Sequence, residues 1–184
     1  MLRNFSAAAV LLVCGGINMA VANAPAAQDI DLDAWCGTWY EIARTPNKHQ
    51  SGTVDVTHSF KALDNGRYSL VTTGFKGGSR GKKQTLQGEI LVNDKRKSGS
   101  LKVRLFRFLT VEYKIVDVDK INYRYALVTS GSGNHVWIFS RTPVMDEAYY
   151  NKMLESARQK GFDVEKLEMV AHNRNAGAGC AMKG

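Results

Sequence analysis

Cysteine and histidine are scarce in this chain, whose 184 residues include three of the former and four of the latter. His49, His58, His135 and His172 are scattered, without the close spacing that metal ligands use, so no metal centre is expected. Zinc on Cys36 and Cys180 is not expected either, because those thiols are expected to pair with each other. No internal repeat is visible, and only one segment has the period of an amphipathic helix. After the first two dozen residues no apolar run is long enough to span a bilayer. What remains is ordinary for one globular domain, with 44% hydrophobic residues.

Residues 1–24 read as a secretory signal peptide. Arg3 precedes an apolar run from Phe5 to Cys14, and Ala20-Val21-Ala22 and Ala22-Asn23-Ala24 supply small-residue cleavage sites, the second made poorer by Pro25. The alternative is a lipobox, Leu11-Leu12-Val13-Cys14-Gly15, in which Cys14 is acylated. Val13 stands where a small residue is preferred, and the segment before the apolar run is short. Acylation would turn residues 15–34 into a flexible tether; in either case residues 25–34 are read as a linker.

The formal charge is +8, and removing the signal leaves +7. This favours anionic surfaces, the plainer alternative being a solvated basic face. The exported chain keeps Cys36 and Cys180, an even count in an oxidising compartment, and a disulfide between them is expected, with two free thiols as the alternative.

From Gly37 onward, short alternating segments are separated by turn signals, an all-β pattern. Val54, Val56, His58 and Phe60 alternate with Asp55, Thr57, Ser59 and Lys61, and Asp64-Asn65-Gly66 turns the chain. Tyr68, Leu70 and Thr72 mark a third strand, and Leu86, Gly88, Ile90 and Val92 a fourth. Leu101, Val103 and Leu105 mark a fifth, and Tyr113 and Ile115 a sixth. Tyr123 to Ser130 and His135 to Arg141 complete eight. Closure into a barrel removes the exposed edges that so many strands would otherwise leave. Asp146 as N-cap, the stripe Tyr150, Met153, Leu154 and Ala157, and Gly161 as stop predict one helix packed outside the barrel. A short ninth strand is expected near Lys166 to Ala171, and residues 174–184 form a Gly/Ala-rich tail.

Two stretches then stand out. Gly37-Thr38-Trp39-Tyr40-Glu41-Ile42-Ala43-Arg44 opens the first strand, and Ser140-Arg141-Thr142-Pro143 closes the eighth. The Gly allows close backbone approach, the Trp is a flat apolar plug, and the Arg is placed to stack on it. With Asp117-Val118-Asp119 and Tyr123 to Val128 between them, these motifs resemble those of the lipocalins, in the branch of bacterial outer-membrane lipocalins and apolipoprotein D. The resemblance covers Asp33 to Asn173, within a barrel domain set at residues 35–173; the middle motif meets the family's spacing only loosely.

The resemblance implies an all-β, eight-stranded antiparallel up-and-down barrel, closed at one end, that binds a hydrophobic ligand and is not an enzyme. Val56, His58, Phe60, Tyr68, Leu70, Leu86, Ile90, Val103, Leu105, Tyr113 and Trp137 fall on inward parity and are the candidate ligand contacts, core packing being the alternative for each. Gly37, Trp39 and Arg141 are structural, shutting the base. In this topology the loops Thr45 to Gly52, Lys76 to Lys83, Phe106 to Thr110 and Ser130 to Asn134 surround the mouth. Lys76, Arg80, Lys82, Lys83 and Arg107, with Phe108 beside them, suit an anionic head group or an anionic membrane surface. Phe108 and Leu109 could instead cover the barrel or form a homodimer contact. Glu41, His58, Tyr68 and Tyr113 are polar groups able to fix a head group inside.

The expected function is an exported carrier or scavenger of fatty acids or lysophospholipids in the periplasm or at the outer membrane of a Gram-negative bacterium, with no cofactor. A structural envelope protein with a filled barrel is the alternative. In this fold the ninth strand runs antiparallel to the first, which would return Cys180 toward Cys36. Gly77-Gly78-Ser79-Arg80-Gly81 fits the pattern of a hydrolase nucleophile elbow, but it lies between β-strands, not between a strand and a helix, so an ester hydrolase is disfavoured. Nucleic acid is not an expected partner, because the signal peptide and the inward aromatics argue against an exposed stacking platform.

Overall fold

The computed structural model describes residues 24–92, 98–106 and 109–174. Eight antiparallel strands make the barrel: β1 (Gly37–Arg44), β2 (Thr53–Ala62), β3 (Tyr68–Lys76), β4 (Lys82–Leu91), β5 (Ser100–Phe106), β6 (Leu109–Val118), β7 (Tyr125–Ser130) and β8 (Val136–Ser140). Each pairs with its neighbour in the chain, and β8 returns to β1. Period-two patterning is the cause: Leu101 and Val103 are buried while Lys102 and Arg104, which alternate with them, are exposed.

The alternation breaks where the sheet must curl. Register shifts fall between Glu41 and Ala43, Val54 and Thr57, Arg104 and Phe106, and Ile115 and Asp117. The second corrects the reading of Val54 to Phe60 as one unbroken alternation. Asp55 takes a φ of 51° there and is buried, whereas Val54 is half-exposed. Such a bulge turns a strand and re-aims its side chains. β7 also starts two residues later than its apolar run, because Tyr123, at φ 51°, belongs to the preceding turn.

Residues 25–34 are not a free linker. Ala27 accepts from Gly99 N and donates to Ile115 O, and Ile30, Leu32 and Trp35 are buried in the central core. A one-turn helix, α1 (Leu32–Trp35), is capped by Asp31, whose side chain accepts from the amides of Asp33 and Ala34. It plugs the end of the barrel where β1 begins.

The outer helix α2 (Glu147–Gln159) is capped by Asp146 and buries Met153, Ser156 and Ala157. These meet a second apolar cluster on the outer faces of β1, β6, β7 and β8, formed by Ile42, Val116, Leu127 and Ile138 among others. β2 pairs with β1 only from Gly37 to Tyr40. Above that point β9 (Glu168–Met169) takes the vacant edge of β1 at Ala43 and Arg44. The chain that follows straps the seam: Val170 N donates to Ile42 O, Asp55 N to Ala171 O, and Arg174 N to Asp55 Oδ1.

Candidate ligand-binding lumen

At the base, Arg141 Cζ sits 3.8 Å from the centroid of the Trp39 ring. Its guanidinium donates to the carbonyls of Tyr123 (3.0 Å), Thr38 (3.2 Å), Ala34 (2.8 Å) and Trp35 (3.1 Å). One side chain therefore ties β1, α1 and the β6–β7 turn to the end of β8. Gly37 has a φ of +102°, and a Cβ there would stand 3.1 Å from Arg141 Nη1, so both backbone and space call for glycine. The middle motif joins the same base, with Asp119 Oδ2 accepting from Arg124 Nε at 2.9 Å and Tyr123 OH accepting from Asp31 N at 2.9 Å. Cys36 is half-buried beside this latch, and burial pushes its thiol up.

The candidate ligand contacts lie on the lumen side. Phe60, Tyr68, Leu70, Ile90 and Val103 belong to the central core, with Leu105, Tyr113 and Trp137 packed against it. Val56 is buried, and Leu86 pairs with Thr72, whose hydroxyl points inward to His58. They do not form one site. Tyr68 and Ile90 are paired neighbours near the base, and Tyr68 OH donates to Asp33 of the plug at 2.8 Å. A small void in the middle is lined by His58, Phe60, Leu70, Val103 and Tyr113, with Trp35, Leu101, Ile115, Val128 and Phe139. Leu101 and Ile115 share the inward parity of Val103 and Tyr113, so periodicity was the signal for them. The void leaves about 10 Å³ for the centre of a water-sized sphere, room for about one water.

Above the void lies a polar tier in which Glu41 and His58, expected inside, are joined by Arg44 and Gln50, which the sequence did not single out. Glu41 is fully buried and accepts from Arg44 Nη1 at 3.0 Å and from Gln50 Nε2 at 3.0 and 3.2 Å, and His58 Nε2 lies 2.8 Å from it. Burial alone would raise this carboxyl; the bond and charge of His58 and the Arg44 guanidinium outweigh it and hold Glu41 below the ordinary range. Arg44 spends its other donors on Glu168 (2.8 Å) and on the carbonyls of Gln50 (2.8 Å) and Thr53 (3.1 Å). His58 Nδ1 lies 3.0 Å from Thr72 Oγ1. Glu41, His58 and Tyr68, read as groups able to fix a head group, all have protein partners here. Tyr113 differs. Among the described residues its hydroxyl has no hydrogen bond, and burial and the Glu41 charge push its phenol up.

Lys76, Arg80, Lys82 and Lys83 are exposed around the β3–β4 turn, on the rim with the Thr45 to Gly52 loop. Arg107 and Phe108 lie outside the described residues, as do Cys14 and Cys180. The segment after β9 does not run down β1 to Cys36; it crosses toward the mouth, where Arg174 Nε donates to Ser79 O at 2.7 Å. The G-x-S-x-G match is a tight turn, in which a Cβ on Gly81 would come within 2.0 Å of Lys76 O. Ser79 Oγ is buried, and no histidine bonds it among the described residues. It lies against Asp55, where burial would raise the carboxyl but the Ser79 hydroxyl and nearby backbone amides hold it down. The motif joins strands β3 and β4 instead of a strand and a helix, so it lacks the build of a nucleophile elbow.

A family model described as a lipocalin-like domain matches residues 30–172. Outer membrane lipoprotein Blc of Escherichia coli K12 is 32% identical over 142 residues, 77% of this chain and 79% of that protein. Apolipoprotein D of Cavia porcellus is 24% identical over 157 residues, covering 80% of each. Among solved structures, insecticyanin from the tobacco hornworm Manduca sexta superposes with a TM-score of 0.67 at 18% identity, over 83% of this chain and 86% of that one, a likeness of fold alone. Latch, closed barrel, outer helix and these matches agree: the chain belongs to the lipocalin family.

Proposed function

We propose that this protein carries or scavenges a single-chain amphiphile, a fatty acid or lysophospholipid, at the bacterial envelope. The observation that carries the reading is the contrast between the two ends of one lumen. Its interior holds an apolar void and its rim carries Lys76, Arg80, Lys82 and Lys83. An acyl chain enters first and its anionic head stays at the rim. Head-first entry would bring a carboxylate against Glu41, whose cationic partner Arg44 is fully engaged. Because this void is small, uptake of an acyl chain there moves side chains that line it, Tyr113 among them.

The same cations favour docking of the mouth on an anionic membrane. Similarity to outer membrane lipoproteins supports export, with Cys14 as the acylation site of an anchored form. Because α1 and residues 24–31 pack on the barrel, the tether of that form would be shorter than the sequence reading allows. The small void also supports the second reading, a structural protein with a filled barrel. Titration of delipidated protein with a fluorescent fatty acid separates the two. Saturable one-to-one uptake supports the carrier; no uptake supports the filled barrel.

A further inference from the structure

The mouth loop between β1 and β2 sends one side chain into the lumen. Gln50 Nε2 donates to both oxygens of Glu41, at 3.2 and 3.0 Å, and Gln50 Oε1 accepts from Trp137 Nε1 at 3.2 Å and from Asn47 Nδ2 at 2.7 Å. Glu41 has no exposed surface, whereas Gln50 is half-exposed, so the carboxamide stands between the buried carboxylate and the mouth. The loop backbone is held separately, by Arg44 Nη2 on Gln50 O and by Gly77 N on Gly52 O at 3.1 Å. The side chain can therefore leave by rotating while the loop stays.

Its departure would free a defined set of groups: a carboxylate that keeps Arg44 and His58 but loses the Gln50 donor, and an indole N–H that needs an acceptor, with the Tyr113 ring 5.7 Å from that of Trp137. A carboxylate fits this set poorly, since it supplies no donor to Glu41. A group that donates and accepts at once fits it. We propose that the Gln50 carboxamide is the internal occupant of a ligand subsite formed by Glu41 and Trp137, and that a neutral vicinal diol, as in the head of a monoacylglycerol, replaces it.

This proposal rests on the amphiphile-carrier reading and adds monoacylglycerols to its ligands. The acyl chain fills the void and the diol takes the place of the carboxamide. Displacing an internal occupant weakens apparent affinity by the fraction of time the subsite is taken, and removing the occupant restores it.

The test compares 1-monooleoylglycerol with oleate by calorimetry on the delipidated protein and on Gln50→Ala. The expected result is tighter binding of the glyceride by wild type, a further gain of about three- to tenfold in Gln50→Ala, and an oleate affinity unchanged within about twofold. Gln50→Glu, whose new carboxylate Glu41 repels, should reproduce the alanine variant. Equal tightening for both lipids, or none for the glyceride, would overturn the proposal. If neither lipid binds, the carrier reading fails and the subsite is judged alone, from the indole N–H resonance of Trp137 in Gln50→Ala. A shift with propane-1,2-diol and none with propionate supports it; equal shifts, or none, refute it.

Discussion

Arg141 covers the face of Trp39 at 3.8 Å while its guanidinium holds four backbone carbonyls from three other segments. The stacking alone contributes about 0.5–2 kcal/mol, but the hydrogen bonds make the residue a clasp. Arg141→Ala removes a charged donor from partly buried carbonyls, and we expect a loss on the order of 3 kcal/mol, read by urea unfolding. Arg141→Lys should recover less than half of that, because an ammonium cannot match the planar fork.

Glu41, held by His58 and Arg44, contributes to the acid response. Glu41 is held below its ordinary value in the folded state, so the unfolded chain binds the proton more readily. Its contribution is complete above the unfolded carboxyl range and is lost as pH falls through the folded value. Denaturation midpoints should therefore drop on acidification below about pH 4.5, and Glu41→Gln should flatten that limb. Arg44→Met strands the buried carboxylate and should cost about 3–5 kcal/mol at neutral pH.

The inward parity of Val56 to Trp137 was legible because a strand shows its period in a few residues, and the cap and stripe of α2 were legible for the same local reason. The bulge at Asp55, the plug made by Ile30 and Leu32, and the bonds from Gln50 to Glu41 and Trp137 were not. Each depends on partners distant in sequence. Nothing near Gln50 distinguishes it from any other loop glutamine, and Glu41 reads as polar on a strand until Arg44 and His58 are seen to close around it. The sequence put Tyr68 on the inner face without a depth, which its bond to Asp33 of the plug supplies.

Val103 is fully buried and lines the void. Val103→Trp fills the space an acyl chain would use, at a cost of about 1–3 kcal/mol in stability. Ligand uptake should disappear while circular dichroism still reports a folded barrel. Uptake that survives the substitution would place the ligand elsewhere.

Reversing the rim charges in Lys76→Glu, Lys82→Glu and Lys83→Glu together should abolish sedimentation with vesicles rich in phosphatidylglycerol. In wild type that binding should weaken as salt rises from about 0.05 to 0.5 M, since exposed charges are screened. Binding that ignores both salt and the substitutions would assign the interaction to another surface.

Ester turnover by the purified protein should not depend on Ser79. A p-nitrophenyl ester assay on wild type and Ser79→Ala should give the same background rate, and a rate lost on substitution would restore the hydrolase reading.

The central claim is that the lumen holds an amphiphile. Native mass spectrometry of the exported protein from its own host, followed by lipid extraction, tests it most directly. The account predicts one fatty acid or lysophospholipid per chain, displaced stoichiometrically by a fluorescent fatty acid. Protein that emerges empty and takes up no probe would contradict it and leave a barrel filled by its own side chains.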